Sequence, residues 1–285
     1  MNTVLIELGP TCEPVLAQLV GLVIYQHTKI LAMALKPDPS ERGRLIGDNT
    51  SEGIQLTPGD LTNFPLGAWA LDGNDTVNGS GASELILGNE AEDFLTGFAG
   101  NDSVFGGKGR DFLDGSDGND CLSGGLDADF LNGEAGDDIL FGGKGNDVLD
   151  GTDGNNTLVG GLARDALICG LGDNLCVLGI DPASTDINST DLITDFDLDV
   201  DRIGLASGLT VNDIVLERIQ DVRLTYRFDF PQALQPFLPS AFLSEFSGSA
   251  SGTLIRVRNS NAILGLVGDV TPNELQRRIV SVQGF

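Results

Sequence analysis

The chain has 285 residues, of which 41% are hydrophobic, so it is long enough and apolar enough to bury a core. Its 42 acidic residues against 16 basic ones give a net charge of −26, which excludes nucleic acid and disfavours an anionic membrane surface as a partner. Four cysteines without CxxC spacing predict neither a zinc site nor a disulfide framework: Cys12, Cys121, Cys169 and Cys176.

The N-terminal segment, residues 1–45, contains one apolar run, Val15–Tyr25. This run is too short to span a bilayer, and acidic residues precede it where a cleaved signal peptide carries basic ones. We expect a short helix that caps the domain that follows; a targeting element is the alternative. Residues 46–69 are predicted to form a cap at the start of that domain, with a degenerate repeat at Gly47–Gln55 and the only tryptophan, Trp69.

Residues 70–177 consist of twelve nine-residue units without an insertion. The first position is Gly in ten units, the sixth is acidic in ten, and the eighth is Val, Ile or Leu in eleven. Glycine turns easily through positive φ, whereas the last three positions alternate with the period of a β-strand. Two units therefore make one coil with two short strands, and the eighth positions fill the core between two parallel sheets.

These units resemble the nonapeptide GGxGxDxUx of the RTX family, the hemolysin-type calcium-binding repeat proteins. The unit GGKGNDVLD at residues 142–150 carries every element of that pattern. The resemblance implies an all-β fold: a right-handed parallel β-roll solenoid with two nine-residue units per coil, closed by a mixed, mainly β C-terminal cap. It also implies Ca²⁺ as the ligand.

The acidic sixth positions predict why calcium is needed. Units two apart stack at about 4.8 Å, so their carboxylates become neighbours. Two bare carboxylates about 5 Å apart repel each other by about 3 kcal/mol at an effective dielectric constant of 20. A divalent cation between them reverses this repulsion, and carbonyl oxygens of the glycine-rich loops complete a shell that suits Ca²⁺ better than Mg²⁺.

The sixth positions fall into two columns of unequal quality. The first column is unbroken aspartate, whereas the second begins with Glu84 and ends with Asn156 and Asn174. We therefore predict about seven or eight Ca²⁺ ions, five in the gaps of the first column and two or three in those of the second. The first column supplies Asp75, Asp93, Asp111, Asp129, Asp147 and Asp165 as predicted ligands, and the second supplies Asp102, Asp120 and Asp138. Three residues that replace the fourth-position glycine should weaken neighbouring gaps: Ala91, Asp127 and Ala163.

Apolar side chains recur at the outward positions of the coils. Phe94, Phe112 and Phe130 occupy position seven of alternate units, so they should stack as a ladder on one sheet. The other sheet has an apolar row at position nine: Leu87, Phe105, Phe141, Val159 and Val177. Such rows indicate a contact surface. We favour cover by the chain's own ends; self-association or a surface partner is the alternative.

Residues 178–285 are predicted to form a closing coil and a β-rich C-terminal cap, which an open solenoid end requires. The stretches Asp191–Phe196 and Asp201–Leu205 resemble the closing coil of RTX proteins. A helix is predicted at Pro272–Ile279, where Thr271 as N-cap and a glutamate three residues later form a capping box. Strand-like runs precede it at 213–219, 223–230, 253–258 and 262–267.

No catalytic motif accompanies the repeats. The single histidine, His27, excludes HExxH, and it excludes a Ser-His-Asp triad unless His27 itself serves. Nothing reads GxSxG, GxGxxG or GxxxxGK[ST]. We therefore predict a non-catalytic protein whose folding depends on calcium. A surface adhesin or structural layer component that assembles through the phenylalanine ladder is the alternative, and a carbohydrate-active enzyme is a third.

The resemblance also bears on where the protein works. RTX proteins like this one carry an uncleaved C-terminal signal for type I secretion, which implies an extracellular or cell-surface location without a cleaved signal peptide. Calcium sites of the extracellular class bind at about 10⁻⁴–10⁻³ M, a concentration that the cytosol does not reach.

Overall fold

The computed structural model describes residues 3–5, 45–46, 50–51, 53–58, 67–179, 189–206, 208–226, 246–258, 260 and 262–283. These residues contain 22 strands and one short helix, so the predicted all-β fold is confirmed. The predicted helix at Val15–Tyr25 lies outside the described residues. Within the described residues, no helix has the length and apolar character needed to cross a membrane.

The strands form two eleven-stranded sheets, and through the coils the chain alternates between them. The first sheet contains β1 (Thr3–Leu5), β2 (Leu45–Ile46), β4 (Ala68–Asp72), β6 (Leu85–Glu90), β8 (Ser103–Lys108), β10 (Cys121–Leu126), β12 (Ile139–Lys144), β14 (Thr157–Leu162), β16 (Leu175–Leu178), β18 (Arg202–Leu205) and β22 (Ile279–Gln283). The second contains β3 (Gly53–Gln55), β5 (Thr76–Ser80), β7 (Phe94–Phe98), β9 (Phe112–Asp117), β11 (Phe130–Ala135), β13 (Val148–Asp150), β15 (Ala166–Ile168), β17 (Asp191–Thr194), β19 (Ile214–Tyr226), β20 (Phe246–Val257) and β21 (Ile263–Gly268).

Strands of successive coils pair in parallel with an offset of two repeat units. Leu113 of β9 pairs with Leu131 of β11, and Leu122 of β10 pairs with Leu140 of β12. The twelve units therefore make six coils, as the repeat predicted. The eighth position is fully buried in every unit: Val77, Ile86, Leu95, Val104, Leu113, Leu122, Leu131, Leu140, Leu149, Leu158, Leu167 and Cys176.

The turns that connect the sheets use left-handed backbone at the fourth position of most units. Gly109 and Gly145 have φ of 128° and 155°. Ala91, Asp127 and Ala163 adopt the same region, with φ of 86°, 76° and 84°. Because a Cβ atom disfavours this region by roughly 1–2 kcal/mol, these three turns are strained.

The phenylalanine ladder forms as predicted, but two of its three rings are buried. The rings of Phe94 and Phe112 stack with centroids 4.6 Å apart, and those of Phe112 and Phe130 with centroids 5.2 Å apart. Phe112 is 3% exposed and Phe130 is 1% exposed, and Val148 and Ala166 continue their cluster. These two rings are therefore not part of an open apolar face.

Beyond the repeats, the C-terminal strands continue both sheets. The pair β20 and β19 is antiparallel and is joined to the second sheet through β21, while β22 pairs in parallel with β18 and with β1. The predicted strand at 213–219 and the described part of the predicted strand at 223–230 belong to one strand, β19, with an irregularity between Ile219 and Val222; residues 227–230 lie outside the described residues.

The predicted C-terminal helix is too long by one turn. The capping box of Thr271 and Glu274 is present, but the helix α1 covers only Pro272–Leu275. Ile279 instead begins β22, because Ile279 packs in the main core while Val280 packs in a separate cluster on the opposite face of the strand. This alternation satisfies the period of a strand and not that of a helix.

The sequence predicted no disulfide framework and left the state of the individual cysteines open. Cys169 and Cys176 form a disulfide with their Cα atoms 6.6 Å apart, and both residues are fully buried. They occupy positions one and eight of the last unit, which become neighbours only once the turn between them has formed. None of the described cysteines has a free thiol.

Candidate calcium sites

In both columns, a backbone N–H of one coil donates a hydrogen bond to the carboxylate oxygen Oδ1 of the aspartate in the next coil. The backbone N–H of Asp111 donates to Oδ1 of Asp129 at 2.9 Å, and that of Asp129 donates to Oδ1 of Asp147 at 2.9 Å. In the second column, the N–H of Asp102 donates to Oδ1 of Asp120 at 2.7 Å. The stacking thus brings the nine predicted aspartates into two columns, with Asp75 at the start of the first, where its N–H donates to Oδ1 of Asp93 at 2.8 Å.

The second carboxylate oxygen, Oδ2, has no such donor. Among the described residues, Oδ2 is buried without a hydrogen-bond partner in Asp93, Asp102, Asp111, Asp120, Asp129, Asp138, Asp147 and Asp165. A buried polar atom without a partner costs about 1–3 kcal/mol, and a charged one costs more. Eight such atoms in register indicate a missing positive partner at each one.

Each of these oxygens lies against the first-position glycine of its own unit. A Cβ atom at Gly142 would lie 2.5 Å from Oδ2 of Asp147 and 2.5 Å from the carbonyl oxygen of Gly160, one coil later. A Cβ atom at Gly133 would lie 2.5 Å from Oδ2 of Asp138. Glycine is therefore required here, because any side chain would displace the carboxylate or the neighbouring carbonyl.

Burial makes the charged form of these carboxylates unfavourable. Desolvation, with the charges of Asp111 and Asp147 second, raises the pKa of Asp129 to about 10. In the second column, desolvation outweighs a backbone hydrogen bond and raises the pKa of Asp138 to about 8 and that of Asp120 to about 6. Ionised columns therefore need a cation to offset both desolvation and mutual repulsion.

Two further aspartates extend the columns, and the repeat did not predict them. The N–H of Asp165 donates to Oδ1 of Asp191 at 3.0 Å, and that of Asn174 donates to Oδ1 of Asp201 at 2.9 Å. Their sequence offsets are 26 and 27 residues, longer than the 18 residues that separate all earlier members, so neither follows the spacing of one coil. The only signal for them is the closing-coil motif in which both stand.

The residues that interrupt the second column satisfy their own polar atoms. Both carboxylate oxygens of Glu84 accept hydrogen bonds from Ser80, one of them from the backbone N–H at 3.1 Å. The side-chain amide of Asn156 donates to the carbonyl of Gly151 at 2.8 Å. That of Asn174 reaches two turn carbonyls, at 3.3 and 3.4 Å.

The donor set in the gaps between aspartates is suited to calcium. Among the described residues, no three His, Cys, Asp or Glu side chains come together, so a gap offers two carboxylates and must complete its ligand set with backbone carbonyls. Oxygen-only ligands on glycine-rich loops match the preference of Ca²⁺ and not that of Zn²⁺. The residues present therefore fit Ca²⁺.

A comparison with protein families gives the same identification. A model of the RTX calcium-binding nonapeptide repeat matches overlapping segments of the chain, residues 68–95, 78–113, 96–131, 114–149, 132–167 and 141–176. No curated protein matches the chain significantly. The matched segments run without interruption over the stacked coils, and RTX repeats of this type bind Ca²⁺. Residues 68–176 therefore form a β-roll of RTX calcium-binding repeats.

Proposed function

We propose that this protein is a non-catalytic RTX protein whose β-roll folds when it binds Ca²⁺ outside the cell. The observation that carries the proposal is the register of eight buried Oδ2 atoms without a hydrogen-bond donor. Bound Ca²⁺ supplies the positive charge that these oxygens lack. The protein contributes the scaffold, because the backbone N–H bonds to Oδ1 hold each carboxylate towards the gap between two turns.

The proposed ligands are the nine aspartates of the two columns together with Asp191. Six gaps of the first column then lie between two aspartates, the last one between Asp165 and Asp191, and the second column adds the gaps on either side of Asp120. This gives about eight ions.

We propose export because of the net negative charge of the chain and the calcium concentration outside the cell. RTX repeat proteins are typically secreted, and a chain with a net charge of −26 repels itself while calcium is scarce. Extracellular calcium reaches the range of about 10⁻⁴–10⁻³ M in which extracellular modules bind. The same chain would therefore stay unfolded during export and fold after it.

Calcium titration of the chelated protein tests the proposal. We expect far-ultraviolet circular dichroism to gain β-structure at millimolar Ca²⁺ and native mass spectrometry to count about eight bound ions. Magnesium at the same concentration is the control, and it should not restore the fold. A chelated protein that keeps its full β-structure and its melting temperature would contradict the proposal.

Self-association through the phenylalanine ladder stays a prediction. The burial of Phe112 and Phe130 argues against it, because buried rings offer little surface to a second molecule. Light scattering in calcium measures it directly, and a monomer at all concentrations would remove the adhesin or layer alternative that rests on these rings.

A further inference from the structure

The hydrogen bonds of the second column fix how its asparagines are oriented. Oδ1 of Asn156 accepts from the N–H of Asp138 at 2.8 Å, and Oδ1 of Asn174 accepts from the N–H of Asn156 at 2.8 Å. A flipped amide would place its NH₂ group against another N–H. The NH₂ group of each asparagine therefore occupies the place that Oδ2 takes in an aspartate.

This NH₂ group donates to the carbonyls of its own turn. Asn156 donates to Gly151 at 2.8 Å, and Asn174 lies 3.3 Å from the carbonyl of Gly170 and 3.4 Å from that of Gly172. Turn carbonyls are the groups that complete a calcium shell in this kind of loop. Here a hydrogen-bond donor already contacts them, and it presents the positive end of its dipole to any cation.

The next member of the column, Asp201, also has its second side-chain polar atom in a hydrogen bond. Asp201 is fully buried, and its Oδ2 accepts a hydrogen bond from the N–H of Asp197 at 2.7 Å. From Asn156 to Asp201, no side chain of this column therefore brings a buried carboxylate oxygen without a partner, in contrast to Asp138 one coil earlier.

A disulfide bond also constrains the end of the second column. The disulfide between Cys169 and Cys176 spans the turn that carries Asn174. This turn is held by a sulfur–sulfur bond and by amide hydrogen bonds, whereas the turns of the aspartate gaps offer only carboxylates and carbonyls to a cation.

We propose that the second column holds no Ca²⁺ beyond Asp138, and that the amides of Asn156 and Asn174 take the place of the cation by bonding to the turn carbonyls. This inference rests on the proposed function, because it divides one column into a calcium-binding part and a calcium-free part. Calcium would then bind along the whole first column but along only the first half of the second.

The double variant N156D/N174D tests the inference by ion counting. Each change is nearly isosteric and creates a carboxylate oxygen without a donor, so the gaps Asp138/156 and 156/174 become aspartate pairs. Native mass spectrometry at saturating Ca²⁺ should count about two more ions than in the unaltered chain, and the melting temperature should depend more steeply on calcium concentration. If the asparagines already bind calcium through oxygen, the count stays the same, and that result would overturn the inference.

N156A keeps the test decisive even where the double variant does not fold. An amide that replaces calcium can be lost without losing an ion, so N156A should lower the melting temperature at an unchanged ion count; one ion fewer would overturn the inference. D120N is the matched control in the same column and should bind fewer ions. An unaltered chain that binds no ions would refute the proposed function itself, whereas about eight ions without a gain in N156D/N174D refutes only this inference.

Discussion

The two edges of the roll, one carrying the first aspartate column and the other the second, differ in their ligands and in the fourth position of their turns. The first edge has aspartate at every sixth position, and at the fourth position of three turns it has a non-glycine residue at positive φ: Ala91, Asp127 and Ala163. The second edge has glutamate or asparagine at half of its sixth positions. Its fourth positions are glycine at positive φ in five of six turns: Gly100, Gly118, Gly136, Gly154 and Gly172.

The difference teaches that ligand charge and backbone freedom are separable. The second edge also carries non-glycine residues at positive φ, at the second position of four units: Phe98, Ser116, Glu134 and Thr152. Each such residue costs roughly 1–2 kcal/mol on either edge, so the edges differ mainly in the charge of their ligand columns. The predictions below test this division between the edges.

The largest effect should be the pH dependence of the calcium-free protein. The folded-state pKa of Asp129 is raised to about 10 and that of Asp111 to about 8, mainly by desolvation, so the folded state binds protons more tightly than the unfolded state does. The stability that protonation contributes is therefore full below the unfolded value near 3.8 and is lost as the pH rises through about 6 to 10.

Circular dichroism in chelator between pH 4 and pH 9 measures this dependence. We expect β-structure to be greatest at the acidic end and to disappear towards the alkaline end. At millimolar calcium the dependence should reverse, because protonated carboxylates bind calcium poorly. Equal β-structure across the pH range in chelator would contradict the assignment.

Replacing one aspartate in each column should have unequal effects. In saturating calcium, D129N should destabilise the protein by roughly 2–4 kcal/mol, because it removes a deeply desolvated ligand from two gaps. D120N should cost less, on the order of 1–2 kcal/mol, because the pKa of Asp120 is raised only to about 6. In chelator the sign should reverse, and D129N should be the more stabilising of the two. Thermal unfolding with and without calcium distinguishes these outcomes, and equal losses would contradict the deeper desolvation of Asp129.

Adding one methyl group at a first-position glycine should remove a single site. In G142A the new Cβ would lie 2.5 Å from both Oδ2 of Asp147 and the Gly160 carbonyl, so we expect one ion fewer and a loss of about 1–3 kcal/mol. G81A is the control, because a Cβ at Gly81 meets nothing within 4 Å. Native mass spectrometry and thermal unfolding read out both variants, and an unchanged ion count in G142A would contradict the geometry.

The smallest effect should come from relaxing the first edge. A91G should stabilise the protein by about 0.5–1 kcal/mol at fixed calcium, because it relieves a residue at φ 86°. A82G is the matched control on the second edge, since Ala82 holds the same position in its unit without a positive φ. It should be neutral or slightly destabilising, and equal gains in both variants would argue against strain as the cause.

Most of the fold and of the candidate calcium sites could be predicted from the nine-residue register. The predictions that were wrong have identifiable causes. The core at Leu113 and the stacking of Phe112 on Phe130 follow from spacing alone, because one coil is two units long. Asp191 joins the first column only after the chain inserts eight extra residues, so no periodic count reaches it.

Other failures depend on contacts between distant parts of the chain. A helical capping box precedes Ile279 in the sequence. The pairing of Ile279 with Ile203 in the first sheet overrides that local helical preference. The disulfide of Cys169 depends on the shape of one turn, which the repeat does not encode.

The constant offset of two units per coil also determines how the length of this molecule could change. If residues 106–123 were absent, Asp93 would meet Asp129, and Phe94 would meet Phe130, as each now meets an equivalent neighbour. Absence of a single unit would instead exchange the two sheets and bring aspartates of one edge above those of the other. The roll is therefore a modular rod, in which whole coils of about 4.8 Å are the only increments that preserve every contact.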